Sequence, residues 1–529
     1  MYLLIPGRHH LLTRFQQDYI RSILQQESSI TAIDGKQLLL TAPVEALIFP
    51  VTSSNHTHTR RNPLPFYLRA LAIESSFQEM KIPVYIYGID DIGNQPDFAA
   101  YTLKRIRHES ENRLVCTPEN TLVMCSTPVL NLYDKLGFRI LPAELSNRNN
   151  WTYDQPMPWD IVEYIAKCTD WINDTFIQNN IAEASKEIWS RYGYFEKVQQ
   201  LFSDSMISSD GDLTTTRDYN VYVRQMDEIA ALKYNETAPF IRAGRIGDIG
   251  CAVGSWIRLA SADERFRESD FYGIEVSRHL FEICRQRKEN GEFNNPFVFF
   301  SQKNAVTGHV FEPGSMHTIH TSSLTHEIES YGGRTELVQF IHNRYEELTH
   351  QGVWINRDVV APFHKEQEVY LQLTSEDGSN EDPFSEFDNS HELSVFLQGL
   401  STRARFQRFT RDFRAKEGFV LPFTEIMFRG EHYFKTTMQY AAEFLSRKDY
   451  TDNWQSEMHE TFCYWDFEEW KQALTTAGFR IDPASCAYTN AWITENRWKT
   501  KATIFSLQGI DLIELPYPVT HMLLLAVKD

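Results

Sequence analysis

The chain has 529 residues, 42% hydrophobic and 13% aromatic, too long for one compact core and too aromatic for extensive disorder. A formal charge of -19 and a pI near 5.4 weigh against nucleic acid and anionic membrane as partners. No run of roughly 18 apolar residues marks a membrane span, and the seven scattered cysteines form no CxxC pair, so neither a metal site nor a disulfide framework is indicated.

The apolar start "MYLLIPGRHHLL" lacks the charged head and small-residue cleavage site of a signal peptide and reads as a first strand. With reduced cysteines, this makes a cytoplasmic protein the simplest expectation. "YLLIP", "ALIFPV", "VYIYGI" and "LVMCS" are short and β-rich, and "HLLTRFQQDYIRSILQQ" and "PFYLRALAIESSFQEM" between them are amphipathic. This alternation predicts a parallel α/β sheet over residues 1–170. Residues 171–214 are expected to be a helical connector.

The alternation restarts with the helical "DYNVYVRQMDEIAALKY" and strands at "RIGDIG", "FYGIEV", "FVFFSQ", "MHTIHTSS" and "GVWINRDV". Residues 363–460 interrupt it with an acidic, turn-rich loop, "TSEDGSNEDPFSEFDNS", and the basic amphipathic "RARFQRFTRDFRAK". It resumes with the helix "DFEEWKQALTTAGF", a strand near "RI" and the strand "HMLLLAVK". The second domain is therefore expected at 215–362 and 461–529, with 363–460 as a cap over an acceptor pocket.

"GRIGDIGCAVGSW" places Asp248, Gly250, Ala252 and Gly254 on a turn between a strand and a helix. Such a turn lets backbone approach a ligand closely, beside free N–H groups at the helix start. Glu275 ends the next strand, where a carboxylate can accept hydrogen bonds from both hydroxyls of a ribose. A nicotinamide-dinucleotide site uses the same loop logic. The stretch "IGDIGCAVGSW…YGIEVS" resembles the first two motifs of class I S-adenosylmethionine-dependent methyltransferases, with Ala252 at a position usually glycine. The final strand pair, "FRIDPASCAYTNAW…THMLLLAVKD", resembles that family's antiparallel hairpin. The resemblance implies a seven-stranded Rossmann-like domain. In it Gly250 and Gly254 border the methionine part of S-adenosylmethionine, Asp248 orients the loop, Glu275 holds the ribose and Asn304 faces the adenine amine. It also puts His326 and Glu327 over the methyl donor as general base or substrate anchors, packing being the other reading of His326. His317 and His320 read as structural.

In the interruption, Arg403, Arg405, Arg408, Arg411, Arg414 and Lys416 alternate with Phe406, Phe409 and Phe413 at helical spacing. This is either a packed amphipathic helix or a clamp for an anionic acceptor. Trp492, Arg497 and Trp498 either join that pocket or cover the hairpin.

The N-terminal "PGRHHLLTRFQ" and "ALIFPVTSSNHTHTRRNPLPFYLRALAIE" resemble nicotinamide-mononucleotide adenylyltransferases. Gly7, Arg8, Thr13, Asn62 and Arg69 fall on matching positions, Asp90 or Asp91 ends the matching strand, and Gln16 stands where the family has histidine. The resemblance implies a nucleotidyltransferase-like parallel sheet binding ATP or another nucleotide with Mg2+. Gln16 carries no charge, so the domain either binds or packs without turnover, or His9 and His10 compensate. Ser146 and Arg148 are remnants of a phosphate motif. Together the resemblances imply two doubly wound α/β domains. The activity implied is methyl transfer from S-adenosylmethionine to a small, perhaps nucleotide-linked, substrate, with a bifunctional enzyme or a non-enzymatic nucleotide sensor as alternatives.

Overall fold

In the computed structural model, residues 1–25, 30–38, 40, 42–91, 97–203, 219–387 and 389–529 are described. Parts of five expected segments fall outside them: 26 at the end of the first helix, 92–94 after the third strand, 204–214 of the connector, 215–218 of the second domain and 388 of the acidic loop. The chain divides into two compact units, Met1–Gly211 and Asp212–Asp529.

The first unit carries strands β1 (Tyr2–Leu4), β2 (Ala46–Thr52), β3 (Val84–Ile89), β4 (Thr121–Met124) and β5 (Arg139–Leu141). They form one parallel sheet in the order β3-β2-β1-β4-β5. Six of the seven residues of β2 are buried, as expected of a strand covered on both faces. Helices α1 (Arg14–Gln25) and α2 (Phe66–Phe77) follow β1 and β2. The segment expected to be a connector is part of this unit. Ile188, Trp189 and Phe195, on helices Glu183–Arg191 and Tyr194–Ser203, pack with Leu11, Leu64 and Leu68. The Trp189 indole N–H donates to the His10 carbonyl at 2.9 Å.

The second unit opens with α3 (Tyr219–Thr237). Strands β6 (Arg245–Ile249), β7 (Asp270–Glu275), β8 (Val298–Gln302), β9 (Met316–Ser322) and β10 (Leu348–Val359) follow, with α4 (Ser255–Ala262) after β6, α5 (Arg278–Glu289) after β7 and α6 (Thr325–Tyr331) after β9. An added sheet is antiparallel, built from β11 (Glu368–Leu373), β12 (Thr424–Phe428), β13 (Glu431–Thr437), β16 (Ala502–Gln508) and β17 (Asp511–Leu515) in the order β12-β13-β11-β16-β17. The main sheet is completed by β14 (Phe479–Ile481), β15 (Cys486–Tyr488) and β18 (His521–Lys528). Its order is β8-β7-β6-β9-β10-β18-β14, with β15 also on β18. Strands β8 to β10 run parallel, while β18 is antiparallel to both β10 and β14. Chain direction across the sheet reverses between β6 and β9, which opens a crevice at the carboxyl ends of the strands.

The interruption is larger than 363–460, because β16 and β17 complete the added sheet from 502–515. Phe406, Phe409 and Phe413 lie in that sheet's core beside Phe434, Phe444 and Trp498. Three arginines on the same helix, Thr402–Asp412, are bound locally. Arg405 donates to the carbonyls of Leu397, Leu400 and Lys448, Arg408 to those of Pro383 and Ser385, and Arg411 to Glu386. The helix is therefore a packed amphipathic element, with Arg405, Arg408 and Arg411 already held by protein acceptors.

Candidate functional site

The turn after β6 bends through left-handed backbone at Gly250 (φ 72°), Ala252 (φ 49°) and Gly254 (φ 73°). A methyl at Gly250 would lie 3.1 Å from a Leu324 methyl, and one at Gly254 would lie 3.1 Å from the Phe300 ring. Alanine is the smallest chiral residue that tolerates such a bend, at a cost of about 1–2 kcal/mol. The N–H groups of Gly250 and Cys251 both donate to the Ile274 carbonyl, at 2.9 and 3.1 Å. Glu275, one residue on, accepts the Ala252 N–H on one oxygen and the Ser277 N–H on the other, each at 2.8 Å. Each oxygen keeps acceptor capacity for a further donor. Burial pushes the Glu275 carboxyl up to about 7; the two N–H groups oppose this and Glu327 adds to it.

Asp248 and His320 are register partners on β6 and β9. The His320 Nδ1 donates to Asp248 Oδ1 at 2.7 Å, and its ring lies flat on Trp256 at 4.0 Å between centroids. Among the described residues, His320 Nε2, Ser277 Oγ and Ser322 Oγ are buried without a hydrogen-bond partner, and all three residues line one cavity. That cavity encloses about 280 Å³ at the carboxyl ends of the strands and is walled by Asp248, Gly250, Ala252, Glu275 and Glu327. Tyr450, Asn453, Glu457, Glu460 and Phe462 line it as well. Trp498 is buried and donates to the Leu445 carbonyl, while Arg497 lies between the rings of Tyr450 and exposed Trp492; of these only Tyr450 lines the cavity.

His326 also lines the cavity but is not placed as a base. Its Nδ1 donates to Asp358 Oδ1 at 2.7 Å, and its Nε2 faces Glu460 at 3.6 Å. Burial alone would lower its pKa; Asp358 and Glu460 outweigh that and raise it well above the ordinary value. An imidazolium between two carboxylates has no lone pair with which to accept a proton. Asp358 in turn accepts the N–H groups of Leu324, Thr325 and His326, which fixes the start of α6. Asn304 does not line the cavity, and its side-chain oxygen accepts the Val306 N–H at 2.9 Å. Gly254 starts α4 beside the cavity without lining it. Lys233 on α3 and His521 at the start of β18 line the cavity, and neither was expected from the sequence. Both lie far from the glycine turn in sequence, and only the fold brings them to it.

In the first unit the candidate residues gather near the ends of β1 and β2, and most are engaged structurally. The Gln16 N–H donates to Thr13 Oγ1 at 3.0 Å and Gln16 Oε1 accepts the Thr13 N–H at 3.3 Å, a capping box at the start of α1. Arg69 is fully buried and donates to the carbonyls of Arg8 (3.1 Å), Thr52 and Ser53 (both 2.9 Å), so its guanidinium ties loops together instead of facing a phosphate. Burial and then Arg8 lower its pKa to about 10. Gly7 pairs with the β2 edge, donating to the Pro50 carbonyl, and Arg8 donates to the Arg61 carbonyl. The Asn62 N–H closes a turn on Thr59 Oγ1. Asp90 and Asp91 accept from Ser54 and Ser53. Ser146 donates to the Thr152 carbonyl, and Arg148 pairs with Asp134 at 2.7 Å. Burial lowers His9 to about 4 and His10 well below its ordinary value, so neither supplies a positive charge in place of Gln16.

Among the described residues, no three His, Cys, Asp or Glu side chains converge as metal ligands, and no helix is long and apolar enough to cross a membrane. No family model and no curated protein sequence matches the chain. Among solved structures it is similar to an S-adenosylmethionine-dependent methyltransferase from Mesorhizobium loti, at 10% identity over 57% of this chain and 100% of that one, with a TM-score of 0.32. It is similar also to geranyl diphosphate C-methyltransferase from Streptomyces coelicolor A3(2), at 10% identity over 60% and 88% with a TM-score of 0.31. A third is the YcgJ protein of Bacillus subtilis, at 13% identity over 57% and 98% with a TM-score of 0.28. Likeness at this level transfers no residue role.

Proposed function

We propose that the C-terminal unit binds S-adenosylmethionine and transfers its methyl group to a small acceptor. The observation that carries this is the clasp of Glu275 on the loop after β6: one carboxylate shapes the turn and retains acceptor capacity beside it. The reversal between β6 and β9 and the antiparallel β18 support the same reading. Ser277 Oγ, His320 Nε2 and Ser322 Oγ, buried and without a partner among the described residues, suit a ligand with several polar groups.

In this reading Glu275 accepts from the ribose hydroxyls, and the turn at Gly250 and Ala252 lets backbone approach the cofactor closely. Gly254 sets the start of α4, and Asp248 holds His320 in one orientation. When bound, the cofactor supplies a methyl group already activated by its sulfonium. The protein's task is then to position the acceptor and exclude water. Tyr450 and Phe462 close the cavity from the added segment, and Glu327 faces into it as an acceptor anchor. Asn304, off the cavity wall and with its side-chain oxygen accepting from Val306, is given no cofactor role in this reading.

For the first unit we propose a retained nucleotide-binding fold without adenylyl transfer. The capping box of Thr13 and Gln16, the buried Arg69 and the uncharged His9 and His10 favour this over a bifunctional enzyme.

Calorimetry of the full chain with S-adenosylmethionine and with NAD tests the main reading. Wild type should bind the former. Glu275→Ala should weaken it by roughly 10- to 150-fold, the worth of one charged hydrogen bond. Binding of NAD alone, or an affinity indifferent to Glu275→Ala, would refute it. Methyl label transferred to small acceptors in wild type separates an enzyme from a sensor.

A further inference from the structure

Helix α3 lays Met226, Ile229, Ala230 and Lys233 along the cavity wall. These are positions i, i+3, i+4 and i+7, one face of a helix. Three are apolar and the fourth ends in an ammonium. The helix is pinned against the turn, because Asp227 accepts both terminal nitrogens of Arg287, at 3.0 and 2.7 Å, and the hydroxyl of Ser255, the first residue of α4.

Four charged groups act on Lys233: Asp248 from β6, Glu327 from α6, and Arg357 and Asp358 from β10. His521 on β18 is near enough to feel it as well. Asp248 is engaged by His320, Asp358 by His326 and the start of α6, and Arg357 pairs with Glu236. Among the described residues no carboxylate forms an ion pair with Lys233. Burial first, and Arg357 second, push its amine down to about 8. Lys233 is half-buried at the cavity wall, and an anionic ligand group in the same cavity would give its ammonium a charge-assisted partner.

We propose that Lys233 binds the carboxylate of the cofactor's methionine moiety. This rests on the cofactor reading above. The other source of a carboxylate in this cavity is the acceptor, and the test separates the two.

The experiment is calorimetry of the full chain with S-adenosylmethionine and with decarboxylated S-adenosylmethionine, on wild type and Lys233→Met. Wild type should prefer the intact cofactor by about 10- to 100-fold. Lys233→Met should lose that preference by weakening the intact cofactor alone. A preference that survives Lys233→Met places the carboxylate elsewhere and overturns the proposal. So does a wild type that binds both compounds equally, which leaves the acceptor as the anion. If wild type binds neither compound, the cofactor reading itself falls and the proposal with it. Should Lys233→Met not fold, Lys233→Arg decides. Near pH 9 an anion raises the lysine pKa, so binding by wild type should take up a proton, detected as a heat that depends on the buffer. Lys233→Arg, already fully charged, should bind the cofactor with a smaller uptake, and equal uptake in the two proteins would overturn the assignment.

Discussion

The carboxylate of Glu275 accepts the Ala252 N–H at 2.8 Å, so the end of β7 holds the turn that leaves β6. The shape of this loop thus depends on one side chain, whose carboxyl burial pushes up to about 7.

Because the Glu275 carboxyl is pushed up to about 7, cofactor binding should depend on pH with a definite sign. In the proposed reading a ribose hydroxyl donates to the carboxylate, so the ligand favours the deprotonated form. Affinity should be highest above pH 7 and fall below it, approaching roughly tenfold per pH unit at the limit. Without ligand the sign is opposite: the raised pKa favours the fold at low pH, and this contribution is lost as pH rises through 7. Titrations with S-adenosylmethionine between pH 5.5 and 8 check the first statement. A flat profile would mean that the carboxylate does not touch the ribose.

His326 should behave as a structural cation. Removing the imidazolium in His326→Ala leaves Asp358 and Glu460 uncompensated, and breaking a buried pair in this way costs roughly 3–5 kcal/mol. The folded-state pKa is raised, so the stabilisation is complete below the ordinary histidine value and is lost as pH rises through the elevated one. Urea unfolding of wild type and His326→Ala at pH 6 and pH 9 measures both. A variant of unchanged stability that has lost methyl transfer would restore the catalytic reading.

Glycine is required at two points of the turn for different reasons. At Gly250 a side chain meets Leu324, which is itself a cavity wall; at Gly254 it meets Phe300 in the layer beneath. Both backbones are left-handed, so alanine at either costs about 1–2 kcal/mol before any contact is relieved. Gly250→Ala should weaken cofactor binding more than it lowers the melting temperature. Gly254→Ala should lower the melting temperature with a smaller effect on binding. Identical responses in calorimetry and thermal melts would contradict this division.

How much of this was legible in the sequence follows from which interactions are local. Strands such as "RIGDIG" and "HMLLLAVK" are buried on both faces, and their apolar runs announced them. The turn from Asp248 to Gly254 was readable because its glycines and its acid on the next strand are close in the chain. The Asp248–His320 bond joins residues 72 apart through strand register, which no pattern displays. Lys233 reaches the cavity for the same kind of reason, through a helix docked on the turn. The hairpin "ATIFSLQGIDLIEL" carries a signal of its own: alternating residues on either side of a left-handed Gly509. Thr13 and Gln16 show how one spacing serves two readings. Their Thr-x-x-Gln spacing is that of a capping box as much as of a ligand motif, and hydrogen bonding chose the former.

That capping box makes the last prediction specific to the first unit. If Gln16 serves α1, Gln16→Ala should lower stability by about 0.5–2 kcal/mol, the usual worth of a helix cap, and Thr13→Ala should do the same. Because the two form one motif, the double variant should lose less than the sum of the single losses. Arg69→Met should cost more than either, since several buried carbonyls lose their donor at once. Restoring a histidine with Gln16→His should not start pyrophosphate release from ATP and nicotinamide mononucleotide, because the neighbouring His9 and His10 stay uncharged and Arg69 stays committed to carbonyls. Pyrophosphate release by wild type, or its appearance in Gln16→His, would instead establish the unit as a nucleotidyltransferase.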